Sequence, residues 1–424
     1  MTTNPPVLSP VAPASLPVLL VFSHLRWGFV FQRPQHLLSR LAGRWHVIFV
    51  EEPVHSDGPA RLQARTEPGH GGASVQVLVP HTPEPAQGFH DEHLSALHSL
   101  LAEYLQAMRL QVDVAWLYTP MALPLAKAVQ PACLVYDCMD ELSAFKDAPR
   151  QLRQRESAVM KEAAFVLTGG PSLFESRRHL HPHVVCLPSA VDAEHYTPGR
   201  LVPDCEVDRQ AQELQGMLPR PRLGYFGVID ERLNLALLEA MADAHPEWSL
   251  VMAGPVVKID PASLPQRPNI HWLGMQPYQR LPYLLAGWDV ALLPFAINES
   301  TRFISPTKTL EYMAGEKPVV STKIRDVQVL YGEAVLVADG TQAFIDACES
   351  LLGSTLAKRC QRAIAMLNLV SQYDWSRSAD SVHDLLADAL QSTRRRADLA
   401  CQDADEALSR AIDERQPALS GARA

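Results

Sequence analysis

The chain predicts an α/β protein made of two Rossmann-like domains with a cleft between them. Three observations carry that expectation. Short runs of β-branched and aromatic residues alternate with amphipathic segments, the pattern of a parallel sheet covered on both faces. The alternation stops over residues 188–221, a polar and proline-bearing stretch, and then restarts. The 424 residues are also enough for about two domains, each with its own core.

Residues 16–22 read as a buried strand because they are almost wholly apolar, and residues 23–28 as the polar loop leaving it. A helix over 35–41 precedes a strand at 47–50, which runs into Glu51 and Glu52. Further strands are expected at 75–79, 112–118, 133–136, 165–168 and 184–187, with helices at 93–108 and 152–162. After the break, strands are expected at 222–226, 250–253, 270–273, 290–293, 318–321 and 334–337. Helices fall among them at 233–244, 278–286, 307–314 and 342–352. The resulting division is a disordered tail (1–17), a first domain (18–190), a linker (191–220) and a second domain (221–372). A helix (373–391) and a charged tail (392–424), either solvated helix or frayed, complete it. Two such sheets in tandem place the cleft at the carboxyl ends of their strands.

Composition narrows the function. Hydrophobic residues at 47% and charged residues at 20% describe an ordinary globular protein. A net charge of −9 argues against sequence-independent nucleic-acid binding, which needs a basic face. Seven cysteines without a C-x-x-C spacing suggest reduced thiols and a cytoplasmic protein. No apolar run approaches membrane-spanning length, which leaves peripheral contact with the inner membrane as the expected limit of association.

The most informative segment is Ser305-Pro-Thr-Lys-Thr-Leu-Glu-Tyr-Met-Ala314. Ser305 suits an N-cap and Pro306 the first helical position, so a helix should start here. The backbone of Ser305, Pro306 and Thr307, through the N–H groups of Ser305 and Thr307 and the helix dipole, would attract an anion. Lys308 in the first turn opposes the dipole unless a phosphate sits there. Glu311 follows on the same face, able to accept from sugar hydroxyls. A capped surface helix with a Lys–Glu pair explains the same residues. The run Gly224-Tyr-Phe-Gly-Val-Ile-Asp-Glu-Arg-Leu-Asn234 adds Gly227 at a strand end, where backbone can approach a ligand. It also adds Arg232, which can clamp phosphate, although a plain turn with a surface Arg fits equally. Convergence of Arg232 and Lys308 on one sheet edge is the testable expectation.

The order of these motifs resembles the GT-B glycosyltransferases, especially the retaining group 4 kind. The resemblance rests on Tyr225-Phe-Gly-Val-Ile-Asp-Glu-Arg232, Val251-Met-Ala-Gly-Pro255, Ile270-His-Trp-Leu-Gly274, Trp288-Asp-Val-Ala-Leu-Leu-Pro294 and Ser305 through Pro318-Val-Val320. It implies that the second domain binds a nucleotide-diphosphate sugar, with Arg232 and Lys308 at the phosphates, Glu311 at the ribose, and Gly274 and Met275 near the base. Two positions depart from the pattern. Phe303 stands where many relatives carry a Glu that touches the sugar, and Glu316 stands where a Gly usually precedes Lys/Arg-Pro-Val-Val.

The first domain resembles a bacterial subgroup of these transferases associated with cell-surface polysaccharide. The segments concerned are His24-Leu-Arg-Trp27, Phe31-Gln-Arg-Pro-Gln-His-Leu-Leu38, Tyr136-Asp-Cys-Met-Asp-Glu-Leu142 and Thr168-Gly-Gly-Pro-Ser-Leu173. That subgroup commonly has a polar residue where Gly28 stands. Arg26, Gln32 and Arg33 lie after the first strand, on a loop facing the cleft or simply starting a helix. Asp137 and Asp140 are acceptor-side candidates, with capping or loop bracing as the alternative. Gly169-Gly-Pro171 is an anion site or a tight turn.

Other signals rank lower. Asp403-Ala-Asp405 has a metal-binding form but sits in the charged tail, and His179, His181 and His183 read as a solvated loop. There is no Gly-x-Gly-x-x-Gly after the first strand and no Walker-type loop. The expected protein is a metal-independent, cofactor-free glycosyltransferase. Its donor would be a nucleotide-diphosphate sugar, UDP favoured, and its acceptor a hydroxyl of a glycan, lipid-linked or other molecule. A sugar-nucleotide epimerase and a catalytically weak binding partner are the alternatives.

Overall fold

The structure is a computed structural model that describes residues 16–144 and 148–415. Most of the expected N-terminal tail and the end of the charged tail lie outside the described residues, as do the side chains of Asp403 and Asp405. The first sheet contains β1 (Val18–Ser23), β2 (His46–Glu51), β3 (Val54–His55), β4 (Arg61–Pro68) and β5 (Ser74–Thr82). It continues with β6 (Val114–Leu117), β7 (Cys133–Cys138), β8 (Phe165–Thr168) and β9 (Val184–Cys186). Their order is β3-β5-β2-β1-β6-β7-β8-β9, all parallel, with β4 antiparallel on β5. Helices α1 (Arg33–Leu41), α2 (Leu94–Ala107), α3 (Leu123–Ala128), α4 (Leu152–Glu162) and α5 (Pro171–Arg177) connect them.

Alternation along the strands builds two cores. Leu20, Phe22, Ile48 and Val50 pack with Leu97 and Leu101 of α2 and Val159 of α4 on one face. On the other face, Leu19, Val21, Val47 and Phe49 pack with Leu37, Leu38 and Leu41 of α1.

The chain then forms α6 (Ala193–Tyr196) and α7 (Glu206–Gln215), followed by β10 (Arg222–Phe226), α8 (Leu235–Ala244), β11 (Ser249–Ala253), β12 (Ile270–Gly274) and α9 (Leu281–Ala286). Next come β13 (Val290–Leu293), α10 (Lys308–Ala314), β14 (Val319–Thr322), α11 (Arg325–Tyr331), β15 (Leu336–Ala338), α12 (Thr341–Leu352) and α13 (Leu356–Val370). The second sheet is parallel, ordered β12-β11-β10-β13-β14-β15. Both sheets reverse strand order beside their central strand, the place where open α/β sheets bind ligands.

Finally α14 (Trp375–Arg415) returns to the first domain, where Trp375, Val382, Leu386 and Leu390 join the cluster under α1. The outgoing and returning chains meet at a parallel bridge between Val191 and Asp374, with the Val191 N–H donating to the Tyr373 carbonyl at 3.2 Å.

Several features differ from the expected elements, and three bear on the reading. The stretch read as a linker contains α7, whose Val207, Ala211 and Leu214 follow helical spacing. Gln215 at its end donates to the Leu284 carbonyl and accepts from Trp288 Nε1 at 3.0 Å. Strand β4 was not expected because it is a polar edge strand with no apolar alternation. His181 is buried rather than solvated, with Nε2 2.9 Å from the Ala163 carbonyl.

Candidate functional site: a cation pair at the edge of the second sheet

Gly227 leaves β10 with φ +141°, and a Cβ there would overlap the Lys308 side chain and lie 2.7 Å from its Nζ. Gly254, leaving β11 with φ +150°, abuts the Gly227 backbone in the same way. These two glycines let the neighbouring turns nest beneath the Lys308 ammonium. That group sits 5.8 Å from the Tyr225 ring centre, within cation–π range.

Helix α10 starts at Lys308, not at Ser305. The first turn closes from Pro306, whose carbonyl accepts from the Thr309 N–H at 3.1 Å, and Thr307 occupies the cap position in helical geometry. Ser305 makes no cap and instead lies against Gly170 of the first domain. Glu311 follows one turn later. Burial pushes its carboxyl up to about 7 against the opposing pull of Lys308 and Tyr196. Burial likewise lowers the Lys308 ammonium, with Glu311 opposing and Arg232 assisting.

Arg232 is held by Asp230 through Nε at 3.0 Å and Nη2 at 2.7 Å, and Asp230 is itself buried. Sequence reading passed over Asp230, although a carboxylate two residues before an Arg is a usable signal for an oriented guanidinium. Burial raises the Asp140 carboxyl, whereas Arg232, Arg33 and Lys308 pull it down. Asp140 of the first domain therefore lies within electrostatic reach of both second-domain cations. Arg232 and Lys308 likewise lie within electrostatic reach of each other.

The other acceptor-side candidates have partners within the first domain. Asp137 is fully buried and receives the Arg33 Nε at 3.0 Å, while Arg33 Nη1 donates to the Leu187 carbonyl at 2.7 Å. Burial alone would lower the Arg33 pKa, yet Asp137 holds it above its ordinary value. This pair braces α1, β7 and the end of β9, the bracing arrangement open to Asp137 from the sequence. Gln32 is the N-cap of α1, its N–H received by Gln35 Oε1 at 3.0 Å. Arg26 bonds the Glu51 carboxylate and the carbonyls of Glu52 and Pro53. On the donor side, Gly274 ends edge strand β12 with φ +64°, and Met275 beside it is 51% exposed.

The anion expected at Gly169-Gly-Pro171 is internal. Asp326 from α11 accepts from the Ser172 N–H at 3.0 Å and from the Ser172 hydroxyl, across the domain boundary. Phe303 packs against the first-domain apolar cluster rather than standing free in the cleft. Among the described residues, no group of three or more His, Cys, Asp or Glu is placed to hold a metal ion.

Residues 220–354 match the family model of the glycosyl transferases group 1. The Bacillus subtilis (strain 168) protein named "Putative teichuronic acid biosynthesis glycosyltransferase TuaH" is 24% identical over 239 residues, covering 52% of this chain and 58% of that protein. The chain thus aligns with little more than half the length of that relative. Sucrose-phosphate synthase from Thermosynechococcus elongatus superposes with a TM-score of 0.68 at 14% identity, covering 89% of this chain and 100% of that one. HepE from Anabaena, in complex with UDP and glucose, gives 0.63 at 14% identity over 87% of this chain and 99% of that one. A UDP-forming trehalose-phosphate synthase from Burkholderia xenovorans gives 0.62 at 12% identity over 88% and 99%. Most of the second domain thus matches the glycosyl transferases group 1 model, and the chain as a whole shares the two-domain GT-B fold of these solved structures.

Proposed function

We propose that this protein transfers a sugar from a nucleotide-diphosphate donor to a hydroxyl acceptor. The observation that supports the reading is Lys308 seated over Gly227 at the carboxyl end of β10, within electrostatic reach of Arg232, with Glu311 one turn beyond. Two cations there neutralise the leaving diphosphate, so departure needs no metal. Glu311 accepts from the ribose hydroxyls, and Gly274 with Met275 flanks the base. Asp140 orients the acceptor hydroxyl from the opposite wall. UDP is the favoured nucleotide because HepE, sharing the fold, binds UDP and glucose. The name of the Bacillus relative supports an acceptor from cell-surface polysaccharide synthesis, glycan or lipid-linked. Retention of anomeric configuration rests on the family resemblance alone. Among the described residues no helix is long and apolar enough to cross a membrane.

A catalytically weak donor-binding subunit is the second reading, favoured by Phe303, which packs as an apolar residue where a sugar-contacting carboxylate is usual. Thermal shift with UDP, GDP, ADP and TDP sugars, each with and without EDTA, tests the donor first. A rise in melting temperature with UDP-sugar in EDTA is expected. Lys308→Ala should then weaken UDP about 10- to 100-fold and uridine little, since it removes a charge-assisted contact to phosphate. Equal losses for both ligands would sink the phosphate assignment. Turnover on a panel of glycan and lipid-linked acceptors separates a transferase from a binding subunit.

A further inference from the structure

The segment feeding α10 meets the first domain at two points, Phe303 and Ser305, and α11 meets it at a third beside them. Phe303 packs into the first-domain apolar cluster. Ser305 abuts Gly170 so closely that a Cβ on that glycine would lie 2.8 Å from Ser305 Cβ and overlap the Asp326 carboxylate. Asp326 accepts from both the Ser172 N–H and the Ser172 hydroxyl, and the Arg325 Nη1 donates to the same hydroxyl at 3.0 Å. Ser172 and Asp326 are 5% and 1% exposed, so water does not compete for these bonds. The carboxylate sits where α5 begins and needs acceptors for its unpaired N–H groups. Lys308 lies only three residues beyond Ser305, so the Phe303 and Ser305 contacts and the proposed phosphate contact share one short segment, and the α11 bond lies beside it at Gly170.

We propose that Asp326 and Ser172 are positioning residues: their bond holds Gly170 on Ser305 and so fixes the segment that carries Lys308. It closes the two domains and shapes the donor site in one step. Ligand and closure are then coupled, because whatever tightens the 303–308 segment also favours the bonded arrangement. The expectation that donor binding follows closure rests on the proposed function; the structural grip itself does not.

The test compares the full-length protein with Asp326→Ala, Gly170→Ala and Asp326→Asn. Small-angle scattering reads domain separation, calorimetry reads UDP affinity, and circular dichroism checks the fold. Asp326→Ala and Gly170→Ala should enlarge the radius of gyration and weaken UDP at least about fivefold. Asp326→Asn keeps shape and an acceptor oxygen, and should restore both towards the parent values. A compact, folded Asp326→Ala chain that binds UDP as the parent does would overturn the proposal. If the parent itself fails to bind UDP, the donor assignment falls, while the scattering comparison still decides the grip.

Discussion

Glu311 shows how burial can set the working pH of a single side chain. Its carboxyl is pushed up to about 7, above the 4.5 of a free glutamate, so the ligand-free protein keeps it protonated to near neutrality. The folded state therefore binds more protons than the unfolded chain between about 4.5 and 7, and stability falls as pH rises through that window. Glu311→Gln should stabilise the ligand-free protein by about 1–2 kcal/mol at pH 8 and by almost nothing at pH 4, after allowing for partial solvent access. Denaturant melts at the two pH values check this, and equal effects at both would refute it. Ribose hydroxyls prefer an ionised acceptor, so UDP affinity should climb from pH 6 to pH 8 in the parent. At this scale the placement of Arg232, Lys308 and Glu311 was legible from the sequence because each lies a fixed, short distance from a strand or helix end. The pairing of Asp137 with Arg33 was not, because the two are distant in sequence and only the tertiary fold brings them together.

At the scale of elements, the end of α10 accounts for one departure from the family pattern. Glu316 has φ +58°, and the next N–H, that of Lys317, closes onto the Tyr312 carbonyl at 2.9 Å. This is the left-handed residue that ends a helix, a place where Gly costs least. The relatives' glycine suits the geometry, and this chain bears the strain. Glu316→Gly should raise stability by about 0.5–1 kcal/mol, read as a higher melting temperature with donor affinity unchanged. Unchanged or lower stability would mean that the Glu316 side chain repays its conformation. Strong apolar runs made the parallel strands visible in the sequence. Strand β4 escaped because an edge strand on solvent needs no apolar face, and α7 because its narrow apolar stripe is diluted by Glu, Asp and Gln. The short first turn of α10 escaped for another reason. Ser305 is drawn away from its cap by a contact with the other domain, which local propensity cannot register.

For the whole molecule, the two-sheet plan was readable because the rhythm of strands and helices stops and restarts. The cleft contacts were not, since Ser172 and Asp326 carry no motif and meet only once both domains exist. Trp375 ties the plan together. It is wholly buried, stacks on His36 at 4.8 Å with an 8° interplanar angle, and belongs to the core of the first domain although it follows the second. Trp375→Ala should cost about 3–5 kcal/mol, and the loss should appear in the first domain. Hydrogen exchange resolved by peptide would show β1 and β2 opening before β10 and β13. The reverse order would assign α14 to the wrong core.

The bridge between Val191 and Asp374 makes the second domain an insertion, entered and left through one doorway. A ribosome therefore begins the first domain early and cannot finish it until α14 emerges. During that interval the inserted domain has everything it needs to fold, while the face later covered by Trp375, Val382 and Leu386 stays bare. The domain that is begun first is completed last. For as long as translation runs, its unfinished apolar face is the surface a chaperone would find.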